Sequence, residues 1–373
     1  MTTKGFALEE LLRAYFLKAG FFVVRGVPVN FEEWELTDVD LWLYERPSGT
    51  TRRIQIVDIK YKQRPKAIER LFWTSGLVKA LGVDGGYVAT TDKRKELRNL
   101  AKQLGLLVID GTDIKRIKES QNIKLNQRLT DEELVAQLRA VDKARKNNEL
   151  ISLRKDILNC LSDDFGVKST VRALECFSQL ANSTVASHPR SDAAVCAGRL
   201  AYLAAAIACQ SLDYVSVEAA FRSMAERREL LINAVRYGAT DRDSGLKQLR
   251  LALGLIRKYS PSANISNAVE AALNQDLDAV PAEIIADQAV RLLKGSKLFD
   301  VGRYLENACY TYSCPPFDQL EPDAKSFIGA TLDYAAVKRD TFATAWSLKR
   351  SNRVGEEDSQ NRDDADQTSL FKS

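Results

Sequence analysis

The first 120 residues switch repeatedly between two periods of hydrophobicity. Between residues 8 and 20, apolar side chains at Leu8, Leu11, Leu12, Tyr15, Phe16 and Ala19 recur every three or four positions; this predicts a helix with one apolar face that stops at Gly20. Apolar runs at 21–24, 39–44 and 53–61 predict three strands, the last two joined as a hairpin by Arg46-Pro47-Ser48-Gly49-Thr50. A helical pattern at 66–81, a strand at 85–91, a helix at 92–104 and a strand at 105–110 complete the segment. Strands alternating with helices imply an α/β domain, a mixed sheet covered by helices on both faces.

From about residue 130 the period is helical almost throughout. It predicts helices at 131–146, 149–162, 168–182, 192–210, 215–234, 240–258, 266–273, 281–293, 299–312 and 323–348. No repeat of fixed length emerges. The chain therefore divides into an α/β domain at 1–125, an all-α region at 130–350 suited to scaffolding or partner binding, and an acidic tail at 354–373. The tail is nearly free of apolar side chains as far as residue 366, the composition of a disordered segment.

Composition changes this picture only modestly. The net charge is +4, but residues 1–128 carry +7 and residues 355–373 carry −4, so a polyanion would meet the N-terminal domain. The start, Met1-Thr2-Thr3-Lys4-Gly5, leads into no long apolar core of a secretory signal. The most apolar stretch, 200–209, is too short to span a bilayer and reads as a buried helix, so no membrane association is expected. The six cysteines form no CxxC pair and His188 is the single histidine, which argues against a zinc site of ordinary spacing and against histidine-based catalysis. Free cysteines at apolar positions suit a reducing cytoplasm. The chemistry left open rests on carboxylates, lysines and a borrowed metal ion.

Two acids lie inside apolar strands: Asp40 in Val39-Asp40-Leu41-Trp42-Leu43, and Asp58 in Ile56-Val57-Asp58-Ile59-Lys60. A buried carboxylate must be paired or metal-bound, although a lone strand Asp is more often an edge or hairpin residue with a local hydrogen bond. Asp58 and Lys60 are two apart on one strand and leave the same face. With a neighbouring strand carrying Asp40, the two carboxylates and the main-chain carbonyl of Ile59 would offer hard oxygens to Mg²⁺, with Mn²⁺ as a substitute. Lys60 is placed to orient or help deprotonate a coordinated water for attack on a phosphodiester. Glu9, flanking the apolar stripe of the first helix, would complete the shell directly or through a water, whereas helical spacing points Glu10 away. Asp38 shares the alternation of Asp40, and periodicity does not separate the two.

These elements, in this order, resemble the restriction-endonuclease-like PD-(D/E)xK nuclease superfamily and, within it, the Mrr-like DNA endonucleases. The helix ending at Gly20 has Glu9 at the position of the family's helix glutamate; Thr37-Asp38-Val39-Asp40-Leu41 resembles the metal-binding strand, and the family pattern favours Asp40. Val57-Asp58-Ile59-Lys60 is similar to the (D/E)xK strand, with Asp58 as second metal ligand and Lys60 as catalytic lysine. Gly85-Gly86-Tyr87-Val88-Ala89-Thr90-Thr91, Ala101 and Leu107-Val108-Ile109-Asp110-Gly111 resemble the closing strand–helix–strand. The resemblance covers residues 5–118. It implies a Mg²⁺-dependent DNA endonuclease acting in restriction, phage defence or repair, with an inactive DNA-binding or assembly subunit of the same fold as the alternative. An RNA or nucleotide hydrolase is a weaker third reading. The approach Trp34-Glu35-Leu36-Thr37 lacks the family's glycine-rich lead into the aspartate.

Lys62, Arg64 and Lys66 follow the motif directly and would contact phosphates of duplex DNA without reading sequence; Lys93, Arg94, Lys95, Arg98 and Lys102 would extend that patch or form a solvated helix face. The run Glu226-Arg227-Arg228-Glu229 reads as a solvated helix face, and Tyr304, Tyr310, Tyr312 and Phe317 as core and turn residues. The terminal Gln367-Thr368-Ser369-Leu370-Phe371 resembles the QxxLF peptide of sliding-clamp ligands: Gln367 would anchor by hydrogen bonds, and Leu370 and Phe371 would fill a pocket. A homodimer is a further possibility for the helical region.

Overall fold

The structure is a computed structural model that describes residues 3–31, 34–60, 66–120, 127–259 and 263–346. Its first part runs α1 (Thr3–Lys18), β1 (Phe22–Phe31), β2 (Trp34–Glu45), β3 (Arg53–Lys60), α2 (Ala67–Leu81), β4 (Gly85–Thr90), α3 (Glu96–Gln103), β5 (Leu106–Ile109) and α4 (Gly111–Glu119). The sheet order is β1-β2-β3-β4-β5; β1, β2 and β3 are antiparallel, and β3, β4 and β5 are parallel. The sheet is therefore mixed and flanked by helices, as the alternation of periods implies.

The two faces explain the local sequences. On one, Leu8, Leu11, Leu12 and Phe16 of α1 pack on Val23, Leu41, Leu43, Val57 and Ile59. On the other, Phe22, Val24, Trp42, Tyr44, Ile54 and Ile56 belong to the same core as the helical region. A strand covered on both sides needs apolar residues at successive positions, hence Leu41-Trp42-Leu43-Tyr44. Further along the sheet, Ala67 and Leu71 of α2 and Leu97 and Ala101 of α3 cover Val88 and Leu106.

The helical region comprises α5 (Asp131–Arg145), α6 (Glu149–Ser162), α7 (Val167–Ala186), α8 (Asp192–Val215), α9 (Met224–Tyr237), α10 (Arg242–Tyr259), α11 (Ala263–Ala279), α12 (Ala282–Leu292), α13 (Lys297–Tyr310), α14 (Pro322–Tyr334) and α15 (Arg339–Ala345). Of the described helices α8 alone, with the short turn after it, is long and apolar enough to cross a membrane. Residues 200–213 of α8 are all buried, enclosed chiefly by α7 and α13, so it is the central core helix that its all-round hydrophobicity suggests.

Several boundaries differ from the sequence expectation. β1 and β2 run well beyond their apolar cores. The segment 215–234 is a short 3₁₀ turn, Ser216–Ala219, followed by α9, whose start is fixed by a capping box between Ser223 and Glu226. The run at 226–229 is accordingly more than a solvated face: Arg227 donates to the carbonyl of Ala219 at 3.0 Å and Arg228 to Asp287 at 2.5 Å. The single helix expected at 323–348 is two, α14 and α15, broken where Ala336 adopts a left-handed φ of 55°. α4 lies where no helix is expected, and Asp110 caps it by accepting from the N–H groups of Thr112 and Asp113. Gly111 is required there because a Cβ would lie 2.7 Å from the Thr91 carbonyl.

Candidate active site

β2 and β3 pair from Glu45 opposite Arg53 to Leu41 opposite Val57. One further step would set Asp40 against Asp58, and there the ladder ends. Beyond that pair the Ile59 N–H donates to the Asp40 carboxylate at 2.5 Å. β3 continues alongside β4 as far as Lys60 opposite Thr90. The antiparallel strands thus part at two carboxylates while the parallel pair keeps Lys60 in place. Asp40 and Asp58 are both buried; Asp38, opposite Pro28, is exposed. The structure thereby separates the two aspartates that alternation left equivalent.

Burial pushes the Asp40 carboxyl up to about 6, against the downward pull of the Ile59 N–H and the Lys60 charge; Glu9 and Asp38 add to the rise. Burial likewise raises Glu9, with Arg25 opposing and Glu132 and Asp38 assisting. Glu9, Asp38, Asp40 and Lys60 thus share one electrostatic neighbourhood. Asp58 takes a bidentate ion pair from Arg70, first turn of α2: Nε donates to Oδ2 at 2.7 Å and Nη2 to Oδ1. Arg70 lies within charge reach of Asp40 as well, and its guanidinium carbon is 5.7 Å from the Trp73 ring centroid.

On the other face of the sheet, Arg25 of β1 holds Glu9 at 2.5 Å, Glu10, and Glu132 of α5 at 2.8 Å. Glu10, which helical spacing is expected to point away, shares Arg25 with Glu9, is almost as enclosed, and also accepts the Asp131 N–H at 3.2 Å. Sequence reasoning missed both arginines. The rule that singled out Asp40 and Asp58, a charge within an apolar strand, applies equally to Arg25. No such signal marks Arg70, because its pairing depends on how α2 packs on β3.

Among the described residues no three His, Cys, Asp or Glu side chains are gathered as metal ligands. Glu9 is instead ion-paired to Arg25 and Asp58 to Arg70. The donor chemistry nevertheless fits a divalent ion. Asp40, Asp58 and the Ile59 carbonyl are hard oxygens, and Asp58 already holds a cation, the Arg70 guanidinium.

Of the residues expected to meet DNA, Lys62 and Arg64 lie outside the described residues; Lys66 is exposed and ion-paired to Glu69 at 3.0 Å. Lys93 and Lys95 are exposed, whereas Arg94 is bound to Asp92 at 2.6 Å and Arg98 to Asp110 at 2.6 Å and Asp113 at 2.8 Å. Among the described residues of this patch, Lys66, Arg94 and Arg98 are thus paired with acids. Tyr310 and Phe317 are buried and Tyr312 exposed, and His188 lies in the loop between α7 and α8. All six cysteines are buried free thiols. Gln367, Leu370 and Phe371 lie outside the described residues. Comparison with protein-family models, curated proteins and solved structures finds no match to the chain.

Proposed function

We propose that this chain is a divalent-metal-dependent endonuclease of the restriction-endonuclease-like class, hydrolysing phosphodiester bonds of duplex DNA in the cytoplasm, in restriction, phage defence or repair. The observation that carries this reading is the parting of β2 and β3 at two buried carboxylates, Asp40 and Asp58, with Lys60 on the same strand edge. Asp40, Asp58 and the Ile59 carbonyl would hold Mg²⁺ or Mn²⁺, with Glu9 joining through a water. Bound there, the ion supplies a Lewis acid for the phosphoryl oxygens and lowers the pKa of a coordinated water. Lys60 orients the attacking water and assists removal of its proton. Lys62, Arg64 and Lys66 position the backbone, and the Gln367–Phe371 peptide tethers the enzyme to a sliding clamp.

The ion pairs Asp58–Arg70 and Glu9–Arg25 favour a second reading, a DNA-binding or assembly subunit whose acids are neutralised for good. Nicking of supercoiled plasmid in Mg²⁺ or Mn²⁺, beside an EDTA control and the Asp58→Ala protein, separates the two. The nuclease reading expects metal-dependent nicking that Asp58→Ala abolishes. DNA binding without cleavage of plain, modified or branched substrates sinks it.

A further inference from the structure

We infer that Arg70 is the chain's own counter-cation for the β2–β3 notch, displaced from Asp58 when a divalent ion enters. This rests on the proposed metal-dependent reading and concerns how that site is regulated. The bidentate fork engages both Asp58 oxygens, so a divalent ion arriving at that carboxylate meets the guanidinium charge at close range, and the two cations compete for it. Without either cation, Asp40 and Asp58 would be two buried carboxylates with Lys60 as the one cation on their strand edge among the described residues, an arrangement that burial penalises strongly.

Two neighbouring arginines differ in their freedom to leave. The Arg25 side chain is 4% exposed and serves three carboxylates, Glu9, Glu10 and Glu132. Its withdrawal would strand all of them. The Arg70 side chain is 25% exposed and pairs, among the described residues, with Asp58 alone. It stands on the first turn of α2 beside the half-exposed Trp73, whose ring offers an alternative face for the guanidinium. Arg70 can thus swing towards solvent at little cost, whereas Arg25 is fixed. Metal affinity is then set by an exchange of one cation for another, and Arg70 holds the site shut at low metal concentration.

Calorimetric titration of Mn²⁺ into the full chain, with no DNA present, tests this. Arg70→Ala is expected to bind Mn²⁺ at least tenfold more tightly than the native chain, with Arg70→Lys between them, since lysine keeps the charge and loses the fork. In EDTA, Arg70→Ala should melt below the native protein, and saturating Mn²⁺ should raise its melting temperature more than that of the native protein. Equal Mn²⁺ affinities in all three proteins overturn the role of Arg70 and leave the nuclease reading standing. Absence of Mn²⁺ binding in all three overturns both. Should Arg70→Ala fail to fold, the native and Arg70→Lys pair carries the same comparison.

Discussion

The buried charges between the sheet and the helical region behave differently from those at the β2–β3 notch. Glu306 of α13 has no exposed surface and lies between Arg13 at 2.7 Å and Arg128 at 2.6 Å, whose guanidiniums stack on Tyr310 at 3.9 and 4.7 Å. Asp213 of α8 takes Arg52 at 2.5 Å and the Tyr44 hydroxyl at 2.7 Å. Each of these acids is matched or outnumbered by donors. Burial pushes Glu306 up, but Arg128 and Arg13 overcome it and hold the carboxyl below the usual range. At the notch the balance is reversed, and Asp40 is held up near 6. The interface clusters pair each acid with arginines, whereas at the notch Asp40, among the described residues, has no ion pair and accepts the Ile59 N–H. Burial of ionisable groups alone therefore does not mark a site; uncompensated burial does.

The largest effects should fall on opposite properties in the two regions. Asp58→Ala should abolish plasmid nicking while leaving the circular-dichroism spectrum and the cooperative melt intact. Glu306→Ala should leave the buried Arg13 and the half-buried Arg128 without this partner and cost about 3–5 kcal/mol in a denaturant melt, the scale for breaking a buried pair. A Glu306→Ala protein as stable as the native one would mean that the interface cluster is not structural.

How much of this was legible in the chain follows the same physics. The apolar cores of the strands announce themselves, and so do acids placed within them. The extensions of β2 do not, because Trp34, Glu35 and Leu36 are exposed and carry no burial pattern. The α4 start was hidden because Asp110 serves both as the end of an apolar strand and as a helix cap. The capping box Ser223–Glu226 was present in the sequence and marks the α9 start, whereas Ala336 gives no glycine or proline signal for the break before α15. At the site, Asp40, Asp58 and Lys60 follow from alternation within strands. Their arginine partners do not, since Arg70 is twelve residues downstream on a helix and Glu132 reaches Arg25 across 107 positions.

Smaller effects sharpen the contrast. Asp40→Asn keeps an acceptor for the Ile59 N–H and removes the unfavourable charge. The native Asp40 is stabilised in its protonated form; that stability is complete below the usual carboxylate value of 3.8 and lost as pH rises through about 6. Asp40→Asn should therefore be the more stable protein at pH 7.5 in EDTA, by up to about 3 kcal/mol, and match the native one below pH ~4. Glu306 has the opposite sign: its contribution is present at neutral pH and lost on acidification. Thermal melts from pH ~2 to 8 read both, the Glu306 loss falling below the usual carboxylate value of 4.5; a native advantage over Asp40→Asn at pH 7.5 would show that the notch is charge-balanced. Lys60→Ala should slow cleavage about 10²-fold at saturating DNA with little change in affinity. Lys62→Ala should do the reverse, lowering affinity modestly and flattening its salt dependence by about one ion. Equal rate losses in both lysine variants would erase the distinction between chemistry and binding.

The most direct test of the notch as a cation site is a crystal of the native chain soaked in Mn²⁺ and measured for anomalous scattering. One peak is expected, bounded by Asp40, Asp58 and the Ile59 carbonyl, with the Arg70 guanidinium withdrawn from Asp58. No peak at saturating Mn²⁺, with Arg70 still forked onto Asp58, would contradict the account.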